Sequence, residues 1–236
     1  MAKETYAARV GANLLITPRV HEARLELVDP PRFHYKAGQF ITVPVADQTL
    51  RSYSIASPPD DPTALVVAVD IQPGGPGSRY FAALKPGDDI KFQGPYGAFV
   101  VRDDAMPHLL FIGTGTGIAP LRSMILDLEA RGQGARPMTL FFGVRYADDF
   151  MYHDEFLGMA ERHPGTFTYI PSISRPEGSA WPGETGRVTR IIPRLLTSIE
   201  GKTAYLCGSK EMLKDVTEIL VGMGMDKKQI KREQFW

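Results

Sequence analysis

Leu109-Leu110-Phe111-Ile112 runs directly into Gly113-Thr114-Gly115-Thr116-Gly117-Ile118-Ala119-Pro120, and a helix-like stretch begins at Leu121. The apolar run reads as a buried strand and the stretch after Pro120 as a helix. A strand, a glycine-rich turn and a helix in that order form a site for a phosphate or pyrophosphate. Glycine lets the backbone turn sharply and approach the ligand, while N–H groups at the helix start face the negative charge. Many strand-to-helix turns carry glycines for local reasons, so composition alone is weak evidence. The spacing here is G-x-G-x-G-x-x-P rather than the G-x-G-x-x-G common among dehydrogenases, and it favours phosphate binding.

Downstream of this turn, strand candidates at Met138–Phe142, Thr166–Ile173 and Thr203–Leu206 alternate with helical stretches. Those stretches are Leu121–Ala130, Asp148–Arg162, Val188–Leu196 and Glu211–Val221. Strands separated by helices of this length predict βαβ units and a parallel sheet. Phe141-Phe142-Gly143-Val144-Arg145 closes the second strand on an arginine, where an NAD-preferring fold often places an acid. A guanidinium there suits a ribose 2′-phosphate, because it can pair with it in bidentate fashion. NADP is thereby favoured over NAD.

Upstream, the rhythm is different. Val20–Val28, Gln39–Val45, Arg51–Ala56, Ala64–Ile71 and Asp88–Phe92 read as short strands separated by Pro/Gly turns, with one short helix at Ser78–Leu84. Such spacing predicts a barrel or sandwich. The boundary falls near Asp103–Pro107, giving an N-terminal β domain over residues 1–104 and a C-terminal α/β domain over residues 105–236.

Bulk properties narrow the function classes. The chain has 236 residues, 43% of them apolar, and its 27 basic residues balance 27 acidic ones. That balance argues against general nucleic-acid binding. No apolar run approaches a transmembrane span, and the first residues lack the apolar core of a signal peptide. A soluble cytoplasmic protein is expected. The single cysteine, Cys207, allows neither an internal disulfide nor a Cys-ligated iron–sulfur cluster, and the five histidines have no paired ligand spacing. No metal is expected.

The order of motifs resembles the ferredoxin–NADP⁺ reductase superfamily, and within it the bacterial ferredoxin (flavodoxin)–NADP⁺ reductases, essentially from end to end. That resemblance implies an antiparallel Greek-key β-barrel for FAD followed by a Rossmann-like parallel sheet for NADP(H). Arg51-Ser52-Tyr53-Ser54 looks like the family's R-x-Y-S flavin motif: Arg51 on the pyrophosphate, Tyr53 against the flavin, Ser54 near the nitrogen that gains the hydride. Gly77-Ser78, opening the short helix, resembles the second FAD phosphate contact, and Gly94-Pro95-Tyr96-Gly97 resembles a turn closing the barrel. The loop residues Gly113, Thr114, Gly115, Thr116, Gly117 and Pro120 match the NADP-pyrophosphate loop. Arg145, Arg175 and Arg187 occupy the settings of three arginines that gather around the 2′-phosphate. Each alone reads as a solvated surface residue; three at strand ends of one sheet reverse that judgement. Cys207-Gly208 resembles the segment beside the nicotinamide, where Cys207 shapes the pocket and is no nucleophile. At the C-terminus the resemblance puts Glu233 near the reacting centre, Phe235 on the flavin face and Trp236 against the FAD adenine; the last two assignments could be exchanged.

The implied activity is hydride transfer between NADPH and FAD, then single-electron exchange with ferredoxin or flavodoxin, by a monomer that binds neither nucleic acid nor membrane. Ser54, Cys207, Glu233 and Phe235 are the candidate catalytic-centre residues. Lys227, Lys228, Lys231 and Arg232 form a basic run that suits an acidic carrier, or is simply a solvated strand. An oxygenase-partner reductase or an NADPH-dependent flavin reductase (diaphorase) is the first alternative. A non-catalytic FAD-holding relay subunit is the second, and the three arginines argue against it.

Overall fold

Segments that alternate apolar and polar residues become strands in the first part of the chain, because one row of side chains enters a common core while the other stays in water. They are β1 (Thr5–Thr17), β2 (Val20–Asp29), β3 (Phe40–Ala46), β4 (Thr49–Ser54), β5 (Ala64–Asp70) and β6 (Asp89–Tyr96), with helix α1 (Pro76–Ala83) preceding β6. The structure is a computed structural model and describes residues 4–176, 178 and 180–234. The six strands pair antiparallel in the order β4-β3-β6-β1-β2-β5. Just past β4, Ile55 bridges Val67 of β5, and the Ala56 N–H donates to the Val66 carbonyl at 2.8 Å. This bridge joins the two outer strands and closes the sheet into the expected barrel, which removes its open edges. Leu25, Ile41, Ile55, Leu65 and Phe92 fill the interior. Phe92 is fully buried, stacked on Tyr6 at 5.3 Å and met edge-on by Phe33 at 5.2 Å.

Two features of this half differ from the sequence reading. Strand β1 was not among the predicted strands, because Ala7, Ala8, Gly11, Ala12 and Asn13 dilute its pattern and a register shift between Val10 and Ala12 interrupts its alternation. The segment Gly94-Pro95-Tyr96 is the end of β6 rather than a turn, with Tyr96 opposite Phe40 of β3. Only Gly97 leaves the strand, at φ +96°.

The second half holds β7 (His108–Thr114), α2 (Ile118–Ala130), β8 (Met138–Val144), α3 (His153–Arg162), β9 (Phe167–Ile173), β10 (Glu184–Thr185), α4 (Val188–Leu195), β11 (Lys202–Gly208), α5 (Lys210–Gly222) and β12 (Ile230–Gln234). All six strands are parallel, in the order β10-β9-β8-β7-β11-β12. Strand β8 is buried along its whole length, as befits a strand covered on both faces. On one face Leu110, Ile112, Ala204 and Leu206 pack with Ile191 and Ile192 of α4 and Leu213, Val216 and Leu220 of α5. On the other, Phe156 of α3 meets Phe167 and Tyr169 of β9 with ring centres 6.3 and 5.4 Å apart.

Helix α3 starts at His153 rather than at Asp148. Ala147–Asp149 form a separate 3₁₀ turn, Phe150 and Met151 turn inward, and Tyr152 adopts the left-handed conformation at φ +57°. Strands β10 and β12 were also not predicted: one has two residues, and in the other only Ile230 is buried. By compactness the chain separates into two units. The first runs through Val101 and includes Arg122–Asp127; the second holds Arg102–Leu121 and the residues from Leu128 onward.

Phe92→Ala removes a ring that fills the barrel interior on two sides. It should destabilise the protein by about 3–5 kcal/mol, read as a lowered midpoint in urea unfolding at unchanged slope.

Candidate functional site

The order of strands in the second unit reverses between β7 and β11, since β8 lies on one side of β7 and β11 on the other. In open parallel sheets such a reversal leaves a crevice beyond the C-terminal strand ends, where ligands bind. The Gly113–Pro120 segment lies there. Strand β7 extends through Thr114, Gly115–Gly117 form a 3₁₀ turn, and α2 begins at Ile118, with Pro120 in its first turn. Pro120 is tolerated because first-turn N–H groups have no partner within the helix. No acidic side chain occupies that first turn, so the dipole end remains favourable to an anion.

Two glycines allow the turn after β7 to lie against the end of β11. A Cβ on Gly117 would stand 2.2 Å from the Cys207 carbonyl oxygen and 3.0 Å from the Gly208 nitrogen. A Cβ on Gly208 would stand 2.3 Å from Thr114 Oγ1 and 2.4 Å from Met212 Cε. Each loop therefore needs a glycine facing the other. Ser209 caps α5, its Oγ accepting from the Met212 N–H at 3.2 Å. Cys207, fully buried, is the register partner of Gly113 on one side and of Glu233 on the other. Burial, with a smaller contribution from the Glu233 carboxylate, holds its thiol well above the ordinary range. It is therefore a protonated, buried thiol at neutral pH.

The three arginines stand on the same edge of this sheet. Arg145 follows β8 directly, Arg175 lies two residues past β9, and Arg187 is the residue preceding α4, two past β10. Val144 and Thr185 are both register partners of Ile173, so the three strands end side by side. The Arg175 N–H donates to the Arg145 carbonyl at 2.9 Å, and the Gly186 N–H donates to the Ile173 carbonyl at 2.7 Å. All three arginine side chains are exposed. Tyr146 stands among them, its phenol oxygen accepting from Arg175 Nη1 at 3.1 Å. The sequence reading passed over Tyr146, although an aromatic directly following an arginine at a strand end was the signal available.

The first unit holds its own anion cradle. Arg51 and Tyr53 on β4 lie at the N-terminus of α1, where a Cβ on Gly77 would be 2.2 Å from Tyr53 Oη and 3.5 Å from Arg51 Cγ. Glycine at 77 thus allows the phenol to lie directly on the helix start. Tyr53 packs on Phe81 at 4.6 Å, and burial pushes its hydroxyl up to about 12. Helix α1 has Pro76 in its first turn and no acid there, so this dipole end is also open to phosphate. Ser78 is buried, and its Oγ donates to the Asp70 carbonyl at 3.0 Å. Ser52 is exposed, while Ser54, at the end of β4, is buried opposite Phe40. A cation, a phenol and a helix N-terminus gathered around an obligatory glycine fit a pyrophosphate of the kind FAD carries. Phe235 and Trp236 lie outside the described residues; Glu233 is half-buried on β12. Among the described residues no cluster of His, Cys, Asp and Glu could hold a metal ion, and no helix is long and apolar enough to cross a membrane.

Comparison with known proteins assigns each half of the chain to a nucleotide-binding domain family. Residues 8–101 match the family described as oxidoreductase FAD-binding domain, and residues 111–218 match the oxidoreductase NAD-binding domain. The chain is similar to ferredoxin–NADP reductase B of Sorangium cellulosum, 33% identical over 98% of either chain. It is also similar to the reductase component DmpP of Pseudomonas phenol 2-monooxygenase, 32% identical over 99% of this chain but only 66% of that one. Among solved structures, the Amycolatopsis cytochrome P450 reductase GcoB superposes with TM-score 0.87 at 30% identity, over 98% of this chain and 70% of that one. A ferredoxin NADP⁺ reductase from Neisseria gonorrhoeae, solved with FAD and NADP, shares the fold at TM-score 0.84 and 24% identity, over the whole of both chains.

Two outcomes follow from the contact at the strand reversal. Gly117→Ala forces methyl against backbone and should cost about 1–3 kcal/mol of stability; equilibrium unfolding measures the loss, and binding of adenine dinucleotide should weaken while flavin content stays. Cys207 in the native protein should resist alkylation at about pH 8 and react fully once unfolded, which mass spectrometry of iodoacetamide-treated samples reads directly.

Proposed function

Because the chain belongs to the ferredoxin–NADP reductase family of FAD- and NAD-binding oxidoreductases, we propose that it is a cytoplasmic, monomeric NADPH-dependent reductase. It would exchange hydride between NADPH and FAD and single electrons between FAD and a ferredoxin or flavodoxin. The observation that carries the NADPH assignment is the row of Arg145, Arg175 and Arg187 on three side-by-side strand ends. A ribose 2′-phosphate presents charge and acceptor oxygens that guanidinium groups match, whereas an unphosphorylated ribose presents neither. The same name is carried by the Sorangium relative, which this chain matches over nearly its full length.

In this reading residues 1–104 hold FAD and residues 105–236 hold NADP(H). Arg51 and the start of α1 at Gly77-Ser78 bind the FAD pyrophosphate, and Ser52 and Tyr53 fix the remainder of the flavin nucleotide. The Gly113–Gly117 turn and Pro120 receive the NADP pyrophosphate on the dipole end of α2. Cys207 and Gly208 shape the nicotinamide pocket, the buried thiol excluding water without ionising. Ser54 and Glu233 hold or pass a proton, and Phe235 and Trp236, which lie outside the described residues, would serve the flavin and its adenine. FAD, when bound, supplies the exchange between a hydride pair and single electrons. The basic residues Lys227, Lys228, Lys231 and Arg232 suit an acidic carrier.

A second reading has a specific observation behind it. Several of the similar proteins are reductase components of oxygenases, and this chain spans 60–66% of their length. A reductase serving an oxygenase would use the same two cradles with a different acceptor. Cytochrome c reduction with and without added ferredoxins and flavodoxins separates the readings, since dependence on one carrier names the partner. Dependence on none favours the flavin-reductase or diaphorase alternative.

Cofactor choice gives the sharper test. NADPH should bleach the flavin absorbance of the protein with kcat/KM at least about tenfold above that of NADH, the equivalent of one or more charge-assisted hydrogen bonds. Arg187→Ala should raise KM for NADPH several-fold and leave NADH kinetics unchanged. Equal efficiency with both nucleotides would refute the three-arginine reading.

A further inference from the structure

We propose that Tyr146 is a positioning residue for cofactor choice: its phenol oxygen holds the Arg175 guanidinium ready for the 2′-phosphate of the dinucleotide. The inference rests on the NADPH reading and adds to it a residue that touches Arg175 rather than the reacting atoms.

Both partners are anchored by their backbones before their side chains meet. The Tyr146 N–H donates to Asp149 Oδ2 at 3.2 Å, and the Asp149 N–H donates back to the Tyr146 carbonyl at 3.1 Å. This reciprocal pair fixes the 3₁₀ turn Ala147–Asp149 that follows β8. Arg175 is fixed in turn by its N–H on the Arg145 carbonyl at 2.9 Å, while Ser174 donates to the Val144 carbonyl at 3.0 Å. From these two anchored positions Arg175 Nη1 reaches Tyr146 Oη at 3.1 Å, with the guanidinium carbon 5.9 Å from the ring centre. Tyr146 keeps 46% of its surface in water, so burial in a core does not account for its position.

The chemistry of the acceptor matters. A carboxylate on Arg175 would both orient it and neutralise it, competing with an incoming phosphate. A phenol orients through a neutral oxygen and adds no opposing charge of its own. Guanidinium carries five N–H donors in a fixed fork, so the bond to Tyr146 sets its orientation while occupying one of them. An arginine side chain loses rotamer freedom when it is fixed. Restricting it before the ligand arrives removes part of that cost from binding. The gain applies to ligands that use Arg175, which means those bearing the 2′-phosphate.

The test uses the flavin-loaded protein and two fragments, 2′,5′-ADP and 5′-AMP, followed by calorimetry. Tyr146→Phe keeps the ring and removes only the acceptor oxygen. It should weaken 2′,5′-ADP about three- to tenfold, the range for one hydrogen bond to an exposed charged group, and leave 5′-AMP unchanged. In turnover, KM for NADPH should rise by the same factor with kcat constant, and NADH kinetics should not move. In an Arg175→Ala background, Tyr146→Phe should have no further effect, because the group it positions is gone. Equal weakening of both fragments, an unchanged affinity for 2′,5′-ADP, or a full effect persisting without Arg175 would each overturn the proposal. If the unsubstituted protein itself binds the two fragments equally, the NADPH reading falls along with it. If it prefers 2′,5′-ADP and Tyr146→Phe keeps that preference, this inference alone falls.

Discussion

The second half of the structure depends on a contact between two backbones. Gly117 lies against the Cys207 carbonyl, and Gly208 lies against the Thr114 side chain, with no room for a Cβ at either glycine. The parallel sheet creates this constraint, because β7 and β11 are neighbours in register and the chain leaves both at the same edge. Two turns leaving adjacent strands must pass each other, and here they pass in direct contact. The approach brings the dipole end of α2 beside the end of β11, and it seals Cys207 beneath. The glycine-rich loop and the Cys-Gly pair, distant in the chain, are thus two halves of one device. The helix start at the first half and the buried thiol at the second are held by the same packing.

A similar solution appears independently in the barrel unit. There Gly77 at the start of α1 admits the Tyr53 hydroxyl, and Arg51 stands beside it. Both cradles are therefore helix N-termini whose glycine lets a neighbour from another strand come close. In each, the first turn lacks acidic residues, which leaves the field favourable to phosphate. One cradle sits on a closed antiparallel barrel and the other on an open parallel sheet. Each leaves N–H groups at a helix start open to an anion, and the two do so on unlike scaffolds.

What the sequence disclosed follows the same physics. Segments with a strong period or a fully apolar run were legible: β2, β5, β7, β8, β9 and all five helices lie where pattern placed them, within a few residues except at the start of α3. Strand β1 was hidden by alanine, glycine and a bulge, and β12 by facing water along most of its length. The false start at Asp148 arose because Asp148 and Asp149 resemble a helix opening, while buried Phe150 and Met151 pull the chain inward first. At the nucleotide cradle the glycines were legible as a motif. That Gly117 answers to Cys207 was not, because no local pattern reports a contact between segments so far apart. The arginines were legible at their strand ends, but their alignment needed the register of β8, β9 and β10.

That alignment also bears on the electrostatics around the arginines. Three exposed guanidinium groups on neighbouring strand ends repel one another modestly, and nearby carboxylates would normally relieve this by pairing. Two acids in this part of the fold are engaged otherwise. Glu184 on β10 pairs with Arg194 of α4, and Asp149 accepts the Tyr146 N–H. Each acid thus has a partner outside the Arg145, Arg175 and Arg187 row. The Tyr146 phenol, a neutral partner of Arg175, adds no charge to the row. An exposed ion pair is worth little singly, so discrimination between a phosphorylated and an unphosphorylated ribose must come from several such pairs acting on one group. Glu184, Asp149 and Tyr146 thus fix the surroundings of the row through Arg194, a backbone N–H and a neutral phenol.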